Sequence, residues 1–170
     1  MNLEEDIRWV CDRLIFHEGI RLMPYICPAG KWTIGVGRNF EDNPLTPEEL
    51  KACPDYKHGI TYNGAIFLLR NDIKRCFKEL KSNFSWYKKL DNQRQYALLD
   101  MDFQLGLLGL RGFKKMLRAL SKGDFEEAAK QCIDSKYGKR DTPLRAKRIA
   151  FLIKTGEWET DKTKLRGLII

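Results

Sequence analysis

The chain has 170 residues, 43% of them hydrophobic, and Lys plus Arg outnumber Asp plus Glu by 31 to 23, a formal net charge of +8. That length fits one domain burying roughly 70% of its unfolded surface without staples, and the basic balance points to a polyanionic partner such as nucleic acid, an anionic membrane or cell wall. Five cysteines (Cys11, Cys27, Cys53, Cys76, Cys132), odd in number and with no Cys-x-x-Cys pair, argue against a disulfide framework or a zinc site.

In chain order, Leu3, Ile7, Val10, Cys11 and Leu14 follow helical spacing and predict a helix of about four turns that closes at Glu18-Gly19. The acidic N-terminus lacks the basic region and apolar core of a secretory signal. Residues 22–40 lose the helical period and gain Pro24, Pro28, Gly30, Gly35 and Gly37 around Tyr25-Ile26 and Trp32 to Val36, the pattern of a small hairpin or three-stranded sheet. Thr46-Pro47-Glu48-Glu49 is a capping box opening a short helix. Thr61 or Asn63 can cap a longer one with Ile66, Leu69, Ile73, Cys76 and Leu80 on one face.

Asp91 precedes a mostly apolar helix through Leu98, Leu99 and Phe103, buried nearly all round and ending near Gly106 and Gly109. Asp124 with Glu127 forms a second capping box, and Thr142-Pro143 opens a last helix that Gly156 closes. No run approaches the roughly 20 apolar residues of a membrane span. These elements predict one mostly helical α+β unit. Its β-rich lobe covers about 19–60, a connecting helix about 61–82, and a larger helical lobe about 84–170.

The chemistry concentrates between His17 and Arg38. Cleaving a glycosidic bond takes a proton for the leaving oxygen and a group on the opposite face of the sugar that stabilises positive charge or activates water. Glu18, a carboxyl at a helix end beside a hairpin, suits the first role. Cys27, able to accept a proton or attack, and Thr33, able to hydrogen-bond a water or hydroxyl, suit the second, although sugar hydrolysis usually places a second carboxylate there. Taken singly, each also fits a bland role: a solvated surface acid, a small hydrophobe, a β-forming residue.

The segments Glu18-Gly19-x-Arg21-Leu22-x-x-Tyr25 and Gly30-x-x-Thr33-Ile34-Gly35-Val36-Gly37 resemble the active-site region of the bacteriophage-type lysozymes, glycoside hydrolase family 24. Those enzymes carry a Glu, an Asp or sometimes a Cys nine residues on, and a Thr six further, the spacing of Glu18, Cys27 and Thr33. The resemblance continues through Ala97-Leu98-x-x-Met101-x-Phe103-Gln104-x-Gly106, Gly112-Phe113, Ala128-Ala129, Ser135-Lys136-Tyr137, Thr142-Pro143-x-Arg145-Ala146-x-Arg148 and Thr155-Gly156.

It implies a two-lobed lysozyme-like fold and a muramidase acting on peptidoglycan from a cleft between the lobes, with no metal or other cofactor. Glu18 is then the general acid, Cys27 and Thr33 hold the second catalytic face, and Gln104, in a cleft-facing loop, Lys136 and Tyr137 bind substrate. Arg145 pairs with the catalytic glutamate. It further implies a monomer that accumulates in the cytoplasm without stable membrane insertion and reaches the wall after release by a holin. Three positions depart from the pattern: Arg38 where histidine is usual, Ala29 where an acid can meet substrate, and Asp100 where Asn is common. Ordinary surface and packing drift is the simplest reading of all three.

Two other enzyme or binding readings stay open on sequence. A lytic transglycosylase works with one acid, because a hydroxyl of the sugar itself closes the ring. A module that binds wall without cutting it is favoured by Cys27 and disfavoured by the intact Glu18 and Thr33. Nucleic-acid binding rests on charge alone: the cluster Lys136, Lys139, Arg140, Arg145, Lys147 and Arg148 has no aromatic platform or recognised module beside it, so no nucleic-acid partner is expected.

Overall fold

A computed structural model describes residues 1–158. The described residues fall into two compact units, one spanning Asn2–Arg75 and the other Cys76–Trp158 with Met1 added to it. In the first unit, helix α1 (Leu3–Glu18) buries Val10, Cys11 and Leu14, the stripe its spacing predicts, and ends where the Gly19 N–H caps the Ile15 carbonyl at 2.8 Å.

Three antiparallel strands follow in the order β1 (Arg21–Ile26), β2 (Trp32–Gly35) and β3 (Arg38–Asn39). Tyr25 lies opposite Thr33 and Ile26 opposite Trp32, but Arg21 lies opposite Gly35, so β1 carries extra residues in a bulge around Pro24. Proline has no N–H to give a ladder, and a bulge is where a strand tolerates it. The Leu22 carbonyl in that bulge accepts the Ile60 N–H at 2.8 Å.

Helix α2 (Pro47–Ala52) opens with the predicted capping box: the Glu49 N–H donates to Thr46 Oγ1 and the Thr46 N–H to Glu49 Oε2 (2.9 Å). Thr61, not Asn63, caps α3 (Tyr62–Asn83), accepting the Gly64 N–H at 3.0 Å. Ile34, Leu45, Cys53 and Leu68 form the core between these elements, with Phe40, Tyr56 and Ile60 packed against it.

One departure from the family pattern is buried here rather than drifting on the surface. Arg38 is 5% exposed, and its Nη2 donates to Glu49 Oε2 (3.0 Å) and the Pro44 carbonyl. Its Nη1 donates to Asp72 Oδ1 (2.6 Å) and Glu49 Oε1, and its Nε to the Asn43 carbonyl. All five guanidinium N–H groups thus have acceptors, which a buried cation needs. Burial opposes ionisation of Glu49, but the Thr46 N–H, the Asn71 amide and Arg38 outweigh it and hold the carboxyl below its ordinary value.

The second unit is helical: α4 (Asn92–Arg111), α5 (Lys114–Ser121), α6 (Phe125–Asp134) and α7 (Pro143–Thr155). Asp91 caps α4 by accepting the Arg94 N–H at 2.9 Å, and every residue from Arg94 to Asp102 is buried, as its composition predicts. The backbone leaves helical geometry at Gly106 (φ 68°, ψ 164°), a conformation open to glycine, and then continues to Arg111.

Arg94 ties the start of α4 to the end of α7: Nε donates to the Ile153 carbonyl at 2.7 Å and Nη2 to that of Lys154 at 3.0 Å, while its guanidinium lies 3.6 Å over the Phe125 ring. Gly156 closes α7 in the left-handed conformation. Thr142-Pro143 opens α7 as predicted, with Thr142 at the N-cap position; its side chain makes no capping hydrogen bond, and its hydroxyl is buried beside Tyr137. Among the described residues no helix is long and apolar enough to cross a membrane.

Candidate active site

In the first unit the last residue of α1 and the β1–β2 turn hold the candidate catalytic residues Glu18 and Cys27. Glu18 lies against the β2–β3 loop: a Cβ built on Gly37 would stand 3.5 Å from Glu18 Oε2 and 3.7 Å from Cδ. Gly37 has φ +69°, which side-chain-bearing residues rarely adopt, so backbone conformation and close approach both call for glycine there. This explains the Gly-x-Gly: the loop must turn tightly while its backbone faces the carboxyl.

Cys27 opens the turn after β1. The Cys27 N–H donates to the Lys31 carbonyl (2.9 Å) and the Gly30 N–H to the Cys27 carbonyl (2.8 Å), which closes the turn. The sulfur is half-buried. The Lys31 N–H first and the Thr33 hydroxyl next hold the Cys27 thiol below its ordinary value against desolvation, and the Ala29 and Cys27 N–H groups add smaller contributions. The Lys31 ammonium is engaged elsewhere, 3.0 Å from Asp42 and 3.7 Å from Glu41. Ala29, where an acid can stand in the family pattern, contributes its backbone.

Thr33 is buried in β2, and its Oγ1 lies 3.0 Å from the Lys31 carbonyl as well as within reach of the sulfur. A hydroxyl has one proton to donate, so Thr33 can serve either acceptor as the thiol changes ionisation. Tyr25, opposite Thr33 across the ladder, links the set. Burial raises its phenol above the ordinary value, the Arg21 guanidinium 4.3 Å over its ring opposes this, and the charges of Glu18 and Cys27 add to it. Glu18 and Cys27 therefore share one electrostatic neighbourhood through Tyr25, with Thr33 opposite it across the ladder.

The second unit holds the other four. Lys136 is exposed, 3.9 Å from Asp141, and Tyr137 is buried edge-on to Phe113 at 5.7 Å between ring centroids. Both line a pocket of about 550 Å³ whose walls include Leu105, Phe113, Met116 and Lys115. Burial raises the Tyr137 phenol, the Asp100 charge adds to this and Arg145 opposes it.

Gln104 is not on a loop but within α4, two residues before the break at Gly106, and it is outside the pocket lining. Its Oε1 is buried with no hydrogen-bond partner among the described residues, a state that costs about 1–3 kcal/mol unless a ligand or water satisfies it.

Arg145, in the first turn of α7, is 8% exposed and donates through Nε to Asp100 Oδ1 at 2.7 Å. Asp100 is 0% exposed and also accepts from the Tyr96 hydroxyl at 2.9 Å, so it too is a buried ionic partner rather than surface drift. Among the described residues no three His, Cys, Asp or Glu side chains converge as metal ligands do.

Comparison with known proteins places the chain among relatives. Residues 16–150 match the family model described as phage lysozyme. The chain is 33% identical to the probable T4-type lysozyme 1 of Dictyostelium discoideum over 159 residues, 85% of this chain and 93% of that one. It is 30% identical over 156 residues to the pre-baseplate central spike protein Gp5 of Enterobacteria phage T4, covering 84% of this chain but 27% of that protein. An endolysin of Acyrthosiphon pisum secondary endosymbiont phage 1 is 27% identical over 135 residues, 75% of this chain and 80% of the relative.

Proposed function

The chain belongs to the phage lysozyme family and is an enzyme of glycoside-hydrolase type, and from this premise we propose that it hydrolyses the β-1,4 bond between N-acetylmuramic acid and N-acetylglucosamine in peptidoglycan. Glu18 is the general acid that protonates the leaving oxygen. Cys27 holds the opposite face of the sugar as nucleophile or proton acceptor, and Thr33 orders the attacking water or the sulfur itself. The observation that carries this reading is the placement of the Glu18 carboxyl against the β2–β3 loop at Gly37, in the same unit as a Cys27 thiol that the Lys31 N–H and the Thr33 hydroxyl lower. Such donors stabilise a thiolate, the form of cysteine that can replace a carboxylate.

Gln104, Lys136 and Tyr137 bind substrate, Lys136 and Tyr137 from the pocket that they line. Arg145 is the cation that supports the Glu18 carboxyl. The two units act as the lobes of one lysozyme-like domain, working as a monomer on an anionic wall after holin-dependent release from the cytoplasm. The net charge of +8 serves attraction to that wall rather than to nucleic acid.

Digestion of purified sacculi by the wild type, Glu18→Gln, Cys27→Ala and Cys27→Asp tests the assignment. Glu18→Gln is expected to cost on the order of 10²–10⁴-fold in rate, Cys27→Ala to cut turnover severely, and Cys27→Asp to retain it. Wild-type turnover in Cys27→Ala would remove the thiol from the mechanism. Anhydro-muramic products by mass spectrometry would turn the reaction into transglycosylation, and wall binding without soluble fragments would leave a binding module.

A further inference from the structure

Arg145 occupies a costly position. It is nearly buried, which penalises a cation, and it sits in the first turn of α7, where the positive end of the helix dipole repels it. Asp100 on α4 answers both costs, and it does so with directed geometry. Its Oδ1 takes the Arg145 Nε at 2.7 Å, its own backbone carbonyl lies 3.5 Å from Nη2, and its Oδ2 is fixed by the Tyr96 hydroxyl at 2.9 Å. The carboxylate is thus held from behind by a buried tyrosine, itself edge-on to Trp158 at 5.2 Å, and grips one edge of the guanidinium.

Buried ion pairs are weak sources of stability, since apolar residues of similar volume often serve a core as well or better. A pair of this kind, joined to Tyr137 by the charges that both members exert on its phenol, has a positional use. We propose that Asp100 is a positioning residue of the glycosidase site, setting the orientation in which Arg145 presents its guanidinium. The inference rests on the assignment of Arg145 given above. It also gives the departure from the family's Asn a role: the carboxylate keeps an oxygen toward Nε, as an amide can, and adds the charge that lets the cation stay buried.

The test is a double-mutant cycle on purified sacculi, with kcat, KM and thermal midpoint measured for wild type, Asp100→Ala, Asp100→Asn, Arg145→Ala and the double alanine variant, each well below its own midpoint. Misplacing a site group by about an ångström can cost on the order of 10²-fold, so Asp100→Ala is expected to lose kcat on that scale. Asp100→Asn, which retains the acceptor, is expected to recover most of it. In the Arg145→Ala background Asp100→Ala is expected to cause no further loss, because it acts through Arg145.

The double variant removes both buried charges together, so this comparison survives if Asp100→Ala alone fails to fold. Wild-type kcat in folded Asp100→Ala, or equal losses in both backgrounds, overturns the positioning role while leaving the glycosidase intact. Wall digestion that does not depend on Glu18 overturns the glycosidase assignment, and this inference with it.

Discussion

Among the five free cysteines, Cys27 differs from its fellows in access and in electrostatics. Cys11, Cys53, Cys76 and Cys132 are buried. Burial raises the thiols of Cys11 and Cys53 and pushes that of Cys132 up to about 12, whereas donors lower that of Cys27. Alkylation reacts with the thiolate, so iodoacetamide is expected to label the folded protein once, at Cys27, at a pH below the ordinary thiol range. Intact-mass spectrometry with peptide mapping reads the site. Thr33→Val removes a donor and is expected to move the pH–rate profile of labelling upward, while a second label at neutral pH would contradict the burial. The sign for stability follows: with its folded value depressed, Cys27 adds stability as pH rises from that value to the unfolded one, and the gain is lost as pH falls back through the folded value.

On the scale of elements, Arg38 joins β3 to α2 and α3 through Glu49 and Asp72. Arg38→Ala leaves Glu49 buried without its cation and Asp72 with only the half-exposed Arg75, 3.2 Å away, and is expected to cost about 3–5 kcal/mol, read as a lower urea midpoint at unchanged slope. A loss under about 1 kcal/mol would mean that water reaches the acids.

Nothing in the chain order announces this network, since Arg38 and Asp72 stand 34 positions apart and Asp100 and Arg145 stand 45 apart. Glu49 was legible as the third residue of a capping box and fills that role, but the same carboxyl also meets Arg38. The elements with strong local signals, α1, α2 and the strands punctuated by Pro and Gly, were legible. Helix α5 was not, because Phe113 offers no side-chain cap and Lys114 and Lys115 load its positive end. Its one local sign is the apolar set Met116, Leu117 and Leu120, all buried. For the candidate site, the residue spacing was legible, while the donors that lower the Cys27 thiol were not, since three of the four are backbone N–H groups of no particular residue type.

The whole molecule carries a clear alkaline liability. Burial raises the phenols of Tyr87 and Tyr137 above their ordinary value of 10.0 and the Cys132 thiol above 9.0, so the native state keeps protons that the unfolded chain gives up. The unfolded state then binds fewer protons, and stability falls as pH rises through the unfolded values, by about 1.4 kcal/mol per pH unit for each proton retained. Thermal midpoints are expected to fall steadily above about pH 9, and Cys132→Ala to soften the onset. A flat midpoint to pH 11 would contradict the retention of those protons.

Saturation of the Arg38 guanidinium bears on how such a molecule changes over generations. Glu49, Asp72 and the carbonyls of Asn43 and Pro44 make the fit at position 38 a shared property of four other positions. Histidine, the usual residue there, brings at most two N–H donors to a place shaped for five. A lone Arg38→His change would therefore leave acceptors at Glu49 and Asp72 without donors, so exchange at this position is expected to be tolerated only together with changes at those acids.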